Sequence, residues 1–262
     1  FAFSNVPRWA IASVLYFVYI AVVALFLPRL SARARVKACA AALCGCVVAA
    51  VATFTGAFRW RLVLLPPLTL LLAYWTSGLL WTGPTLRIER FLVRTDQAFG
   101  IIAIAARTPR LVAEALEFAY AAVYPLIPIA FAIHMLLGTD PDADRFWTVI
   151  LATDFICFGM LPWIQTRPPR ALEPGRPWTS RFRAFNVKLL GETSIGVNTV
   201  PSGHAAEAFA AALLVSTAPF PVNAVVWIAA LGVTAGAVLG RYHFAVDALA
   251  GWLVALIVWL AL

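Results

Sequence analysis

An all-α, polytopic membrane bundle of about eight transmembrane helices, with one more amphipathic helix at the interface, is the fold the sequence predicts. Three observations carry that expectation. Apolar residues make up 63% of the 262 and charged residues only 12%, where soluble domains hold roughly half and a quarter. The apolar residues gather in runs of about 20, the length that crosses a hydrocarbon core as a helix. Arg, Pro, Gly or Asp punctuates the runs.

In chain order the runs are 9–27, 38–58, 62–81, 111–137, 146–164, 203–217, 222–240 and 243–262. The first lacks the small-residue cleavage pattern of a secretory signal and reads as a retained span. Cys39, Cys44, Cys46 and Cys157 all fall inside apolar stretches, where a thiol behaves as a small hydrophobe and a disulfide framework has no role. Cys44 and Cys46, two apart, face different sides of a helix and make a poor metal pair. Pro66 and Pro67 in the third run, and Pro125 and Pro128 in the fourth, predict kinks whose freed carbonyls neighbouring helices satisfy.

Two connections are too long to be turns. Residues 83–110 mix Arg87, Arg90 and Arg94 with Ile88, Phe91, Leu92, Phe99 and Ile101, which suits an amphipathic helix in the headgroup region; the alternative is a poor ninth span. Residues 165–202 are polar, with five prolines and six basic residues, and loops of this kind tend to carry function.

The net charge of +8 fits nucleic acid, anionic headgroups or the Lys/Arg excess of cytoplasmic loops, and membrane topology makes nucleic acid the weakest of these. With eight spans, 16 of the 20 basic residues fall on one side, which the positive-inside rule makes cytoplasmic. Arginines that hold an anion would gather there whatever the topology. The expected location is a bacterial inner membrane, with the active site at the interface and the cytoplasmic side favoured.

Three clusters carry chemistry. In Thr166-Arg167-Pro168-Pro169-Arg170, the prolines hold two guanidiniums on an extended backbone, and such forks meet phosphate through paired N–H donors. In Asn198-Thr199-Val200-Pro201-Ser202-Gly203-His204, a helix start turns free N–H groups and the positive dipole end toward an anion, with His204 in the first turn as an acid. In Gly240-Arg241-Tyr242-His243-Phe244-Ala245-Val246-Asp247, His243 and Asp247 are four apart. On a helix they share a face, so the carboxylate accepts a hydrogen bond from one ring nitrogen while the other is free to attack. An Asp in an apolar helix points to function by default. Of the three histidines, two sit in these clusters, and His134 lies alone in the fourth run.

These motifs, in this order, resemble those of the type 2 phosphatidic acid phosphatase superfamily. The resemblance covers roughly residues 62–262, a six-helix core, and leaves two extra N-terminal helices in residues 1–61. It implies that His243 is the nucleophile that takes the phosphoryl group, that Asp247 orients it, and that His204 protonates the leaving oxygen. It also implies that Arg167, Arg170, Ser202, Gly203 and Arg241 bind phosphate oxygens, without metal or other cofactor. Two departures stand out. The Lys expected seven residues before Arg167 is Met160, with Arg170 as its replacement, and the Arg expected six before His243 is Ala237. Arg241, only two before His243, therefore belongs to the turn ahead of the helix. The close Arg-Tyr-His-aromatic run is similar to inositol phosphorylceramide synthases.

The expected partner is a lipid phosphate. The leading reading is a membrane lipid phosphatase that cleaves a phosphomonoester or diphosphate through a phosphohistidine. The alternatives are a phosphotransferase to an alcohol acceptor and a non-catalytic lipid-phosphate binder or transporter. Among other polar residues, Asp154 reads as a buried hydrogen-bond or helix-pairing group rather than a proton relay. Glu207 reads as steadying His204 on the same helix face or as an interhelical contact. Glu114, Glu117, Tyr120 and Tyr124 read as a wall of the headgroup pocket, and several tryptophans as interfacial anchors.

Overall fold

The computed structural model describes residues 6–54, 61–172 and 178–262, with backbone alone at 53 and 54. The end of the predicted run 38–58, Arg59, and the middle of the 165–202 connection with Arg176 lie outside the described residues.

The fold is all-helical, and each of the eight apolar runs carries helix. α1 (Arg8–Phe26), α2 (Ala32–Phe54) and α3 (Arg61–Gly78) come first. The fourth run is split into α6 (Arg110–Ala121) and α7 (Val123–Leu137). α8 (Ala143–Gly159), α11 (Gly203–Leu214), α12 (Val222–Leu239) and α13 (Ala245–Ala261) supply the rest. Among the described residues, α1, α2 and α12 are individually long and apolar enough to cross a membrane, and the α6–α7 pair, bent by 61°, adds a fourth span when counted as one.

α8 is the centre of the bundle. Phe146, Trp147, Val149, Ile150, Leu151, Phe155 and Phe158 are buried around its whole circumference, as expected of a helix surrounded by others. α1 packs on it through Phe17 and Ile20, with Tyr16 stacked on Phe155 at 4.4 Å, so the N-terminal helices share the core. α11 is alanine-rich, and its Ala205, Ala206, Ala208 and Ala210–Ala212 backbone is buried among α8, α12 and α13. Small side chains let those axes come close.

Polar contacts fix the two ends of the bundle. At one end Arg8 pairs with Asp142 and Asp144 at 3.0 and 2.8 Å, and Arg145 donates to the Leu262 carbonyl at 3.3 Å. This joins the starts of α1 and α8 to the finish of α13. The starts of α11 and α13 therefore lie at the opposite end, together with the long connections.

The break in the fourth run comes earlier than its prolines suggest. Pro125 cannot donate to the Ala121 carbonyl and its ring crowds that group, so the helix stops and α7 restarts at Val123, with Pro125 in its first turn. Residues 83–110 likewise form two helices where one was expected, α4 (Leu86–Ala98) and α5 (Ile101–Arg107), parted at Gly100 with φ 67°. α4 has an exposed face of Arg87, Arg90, Phe91 and Arg94, but its buried face carries Glu89 and Asp96 beside Leu92. The second connection holds α9 (Pro169–Leu172) and α10 (Arg181–Thr193).

Candidate functional site

Backbone hydrogen bonds bring the three clusters together. The Asn198 N–H donates to the Thr166 carbonyl at 2.9 Å, the Arg170 N–H to the Arg241 carbonyl at 3.0 Å, and the Ser202 N–H to the Asp247 carbonyl at 2.9 Å. Asn198 then joins all three with one amide: Nδ2 donates to Thr166 Oγ1 at 3.2 Å and to Asp247 Oδ2 at 2.7 Å.

The turn between α12 and α13 is tightly wound. The N–H groups of Tyr242 and His243 both donate to the Ala237 carbonyl, at 2.9 and 3.0 Å, and Arg241 adopts φ 62°, a conformation that costs a non-glycine residue about 1 kcal/mol or more. α13 begins only at Ala245, after Phe244 as its N-cap. His243 is therefore outside the helix, and the expectation of a helical i,i+4 pair is corrected. Asp247 occupies the third position of α13 and accepts the Phe244 N–H at 3.0 Å, the carboxylate half of a capping box. The distance from its Oδ2 to His243 Nδ1 is 3.8 Å, an ion-pair distance for a protonated ring rather than a hydrogen bond.

His204 stands in the first turn of α11. Tyr120 stacks on its ring at 5.5 Å, Tyr124 meets it edge-on at 5.8 Å, and the His243 ring lies 6.0 Å away, centroid to centroid. Tyr120 also stacks on Tyr242 at 4.1 Å, so the ring is held in a column of aromatics. At the start of α11 the Ser202 and Gly203 groups are bonded within the protein. The Ser202 hydroxyl is buried and caps the Ala205 N–H at 3.3 Å, the Ser202 N–H is taken by Asp247, and the Gly203 N–H reaches Thr199 Oγ1 at 3.4 Å. Gly203 is required by close packing, because a Cβ there would come within 2.8 Å of the Phe158 ring and 3.2 Å of Asp154 Oδ1.

The basic residues divide into two kinds. Arg167 is bound by Glu89 through Nε at 3.0 Å and a terminal nitrogen at 2.9 Å, with its backbone N–H on the same carboxylate at 2.8 Å. These hydrogen bonds hold the Glu89 carboxyl below its ordinary value. Arg241 is buried against Asp96 at 2.6 Å, and burial raises that carboxyl despite the arginine. Both arginines turn toward α4. Arg170 instead faces the histidines, its guanidinium 5.4 Å from the Tyr242 ring centroid.

A polar cavity of about 380 Å³ is lined by Arg170, His204, His243, Thr199, Tyr120 and Tyr242. Through Tyr74, Phe158, Ser194 and His204 it runs into an apolar cleft of about 580 Å³ whose far walls are Leu70, Leu71 and Trp75 of α3. Leu71 and Trp75 are exposed on the bundle's outer face. The arrangement thus offers a cation and two imidazoles to an anion, and an apolar lateral exit to whatever is attached to it.

Glu117 is not a cavity wall. It is buried and accepts from Trp178 Nε1 at 2.8 Å, an Arg183 terminal nitrogen at 2.8 Å, Asn186 Nδ2 at 2.7 Å and the Tyr242 hydroxyl at 2.6 Å. This network straps α10 over the turn that carries His243, and burial pushes the Tyr242 phenol well up. Glu114 is the outer strap, accepting the Arg181 and Phe182 N–H groups. His134 lies at the opposite end, where one ring nitrogen contacts the Leu214 carbonyl at 3.0 Å and the other accepts the Asp142 N–H at 3.2 Å. Asp154 is fully buried, and Glu207 of α11 is its acidic neighbour.

Sequence reasoning missed Glu89, Asp96 and Gln165. The two acids are seven apart, with Leu92 between, a repeat that places all three on one helix face. Gln165 accepts the Thr82 and Gly83 N–H groups at 2.8 and 3.1 Å and donates to the Leu80 and Pro162 carbonyls, fixing the segment that delivers Arg167. No sequence signal marks it. Among the described residues, no group of three or more His, Cys, Asp or Glu is arranged to hold a metal ion.

A family model described as PAP2 superfamily matches residues 90–261. No curated protein and no solved structure matches the chain.

Proposed function

Since the chain belongs to the PAP2 superfamily, a family of phosphatases and phosphotransferases, we propose that it is a membrane lipid phosphatase acting through a phosphohistidine intermediate. The observation that carries the reading is the pair of imidazoles, 6.0 Å apart, in a cavity with Arg170 that opens onto an apolar cleft. One phosphoryl group between the rings touches both.

In the first step the unprotonated His243 nitrogen attacks phosphorus, and the ester oxygen leaves with a proton from the His204 imidazole. Asp247 supports the positive charge that develops on the His243 ring, and Arg170 the charge on the phosphoryl oxygens. In the second step His204, now neutral, takes a proton from water as the water oxygen attacks the phosphohistidine. Inorganic phosphate departs and both rings return to their starting states. The lipid chain lies in the cleft between α3 and α7. Arg167 and Arg241, turned to Glu89 and Asp96, hold the walls of the site rather than the phosphate.

Transfer to an alcohol in place of water is a second reading, favoured by the strap that Glu117 ties between α6, α10 and Tyr242. A covered site excludes water from the intermediate. The test is phosphate release by the purified chain from phosphatidic acid, phosphatidylglycerophosphate, polyprenyl phosphates and diphosphates, and sphingolipid phosphates, with and without added inositol or glycerol. Release by wild type and none by His243→Ala supports the phosphatase. New phospho-alcohol with added acceptor supports the transferase, and no turnover of any lipid rejects both.

A further inference from the structure

The two-step scheme leaves one side chain of the cleft without a task. Glu207 follows His204 by three residues on α11, which sets it about 4.5 Å deeper along the helix axis. There it lines the apolar cleft beside Leu71, Trp75, Tyr124 and Phe158. Asp154, on the adjoining α8, is its acidic neighbour and is itself fully buried. Among the described residues, neither carboxyl forms an ion pair with Lys or Arg, while Glu89, Asp96 and Glu117 each do. A carboxyl in an apolar wall is costly unless a donor satisfies it, and the one protein group set against Glu207 is the Asp154 carboxyl, which shares a hydrogen bond with one of its oxygens. The other Glu207 oxygen is left for a donor that enters the cleft.

Depth decides which part of the ligand arrives there. With the phosphoryl group between the imidazoles and the chain leaving past α3, a point about 4–5 Å further in is reached by the second carbon from the ester oxygen. In a diacylglycerol phosphate that carbon bears an ester, which only accepts hydrogen bonds, and in a polyprenyl phosphate it bears no polar group. A free hydroxyl or an amide N–H at this position donates, and a carboxyl oxygen accepts in either protonation state. Resting on the phosphatase reading, we propose that Glu207, backed by Asp154, is a specificity residue. It accepts a hydrogen bond from a hydroxyl or amide N–H next to the phosphate-bearing carbon, and so selects lipid phosphates that carry such a donor.

The experiment compares kcat and KM of the full chain in lipid nanodiscs for lysophosphatidic acid and ceramide 1-phosphate, which carry the donor, against dioleoyl phosphatidic acid and farnesyl phosphate, which lack it. The expected result is about a tenfold higher kcat/KM for the donor-bearing pair, the size of one good hydrogen bond, expressed mainly in KM. Glu207→Leu brings the ratio to about one, and Glu207→Gln, which keeps an acceptor oxygen, restores much of it. Equal kcat/KM for the four lipids in wild type overturns the proposal without recourse to any variant. So does a Leu variant that lowers all four in proportion, since that is a structural effect. Absence of turnover on every lipid sinks the phosphatase reading separately. The selectivity is then decided by whether the donor-bearing pair stabilises the protein more in thermal unfolding.

Discussion

Replacing Asn198 by alanine removes the amide that bonds to both of the other clusters. Its Nδ2 contributes a 2.7 Å hydrogen bond to the Asp247 carboxylate and a 3.2 Å one to the Thr166 hydroxyl. A hydrogen bond to a charged group is worth about 1.5–3 kcal/mol and a neutral one about 1 kcal/mol, so the loss is about 2.5–4 kcal/mol. The backbone bridge from Asn198 to Thr166 survives the substitution. Asp247 is fully buried and its Oδ1 already lacks a partner, so the carboxylate keeps the Phe244 N–H at 3.0 Å and little else. It is then free to swing away from His243, and a displacement of about 1 Å at a catalytic group can lower turnover about 100-fold. The assay is thermal unfolding in detergent beside phosphate release per folded molecule. Asn198→Asp, which sets a second carboxyl against Asp247, is expected to be worse on both counts. An Asn198→Ala protein with wild-type melting and wild-type kcat would refute the view that this amide holds the site together.

The Glu89–Arg167 pair gives a pH dependence of defined sign. Arg167 holds the Glu89 carboxyl below its ordinary value of about 4.5, so the pair's contribution is complete above that value and is lost as pH falls through the lower folded one. Glu89→Gln should therefore melt with a shallower acid limb than wild type, and identical limbs would show the pair to be energetically silent. Glu117→Ala leaves Arg183 buried without its counter-charge and should cost about 3–5 kcal/mol, with much of the loss recovered in the Glu117→Leu/Arg183→Met double variant. Unchanged melting of the single variant contradicts that. His134→Ala removes two contacts at the far end of the bundle, so it should destabilise by about 1–3 kcal/mol and leave kcat per folded molecule alone. A fall in kcat would contradict its purely structural place.

The helical bundle was legible because lipid-length apolar runs need only composition and spacing to be seen, and the three clusters because their residue types are uncommon in such a chain. What escaped depended on where helices start and stop. His243 and Asp247 looked like a helical pair at four residues, yet the helix starts at Ala245. An Asp at the third position is itself a helix-start signal, and counting back from it gives Phe244 as the cap. The kink read from Pro125 and Pro128 is there as the 61° bend between α6 and α7, and only its position, with Pro125 in a first turn, was not legible. The phosphate-binding roles of Arg167 and Arg241 came from the resemblance and, for Arg167, from the rigid Arg-Pro-Pro-Arg run, and the acids that pair with them sit more than 70 positions earlier, on a helix read as a membrane-surface element. Glu117 shows the same limit, because its donors come from α10 and the Tyr242 turn and no local pattern announces them.

The central claim is that His204 and His243 act on one phosphoryl group. Rapid acid-free quenching of the full chain with a lipid labelled at phosphorus tests it directly. The expected product is an alkali-stable, acid-labile phosphoenzyme whose label maps to His243, is absent from His243→Ala, and forms more slowly in His204→Ala. Turnover with no labelled protein, or label that persists in His243→Ala, would contradict it.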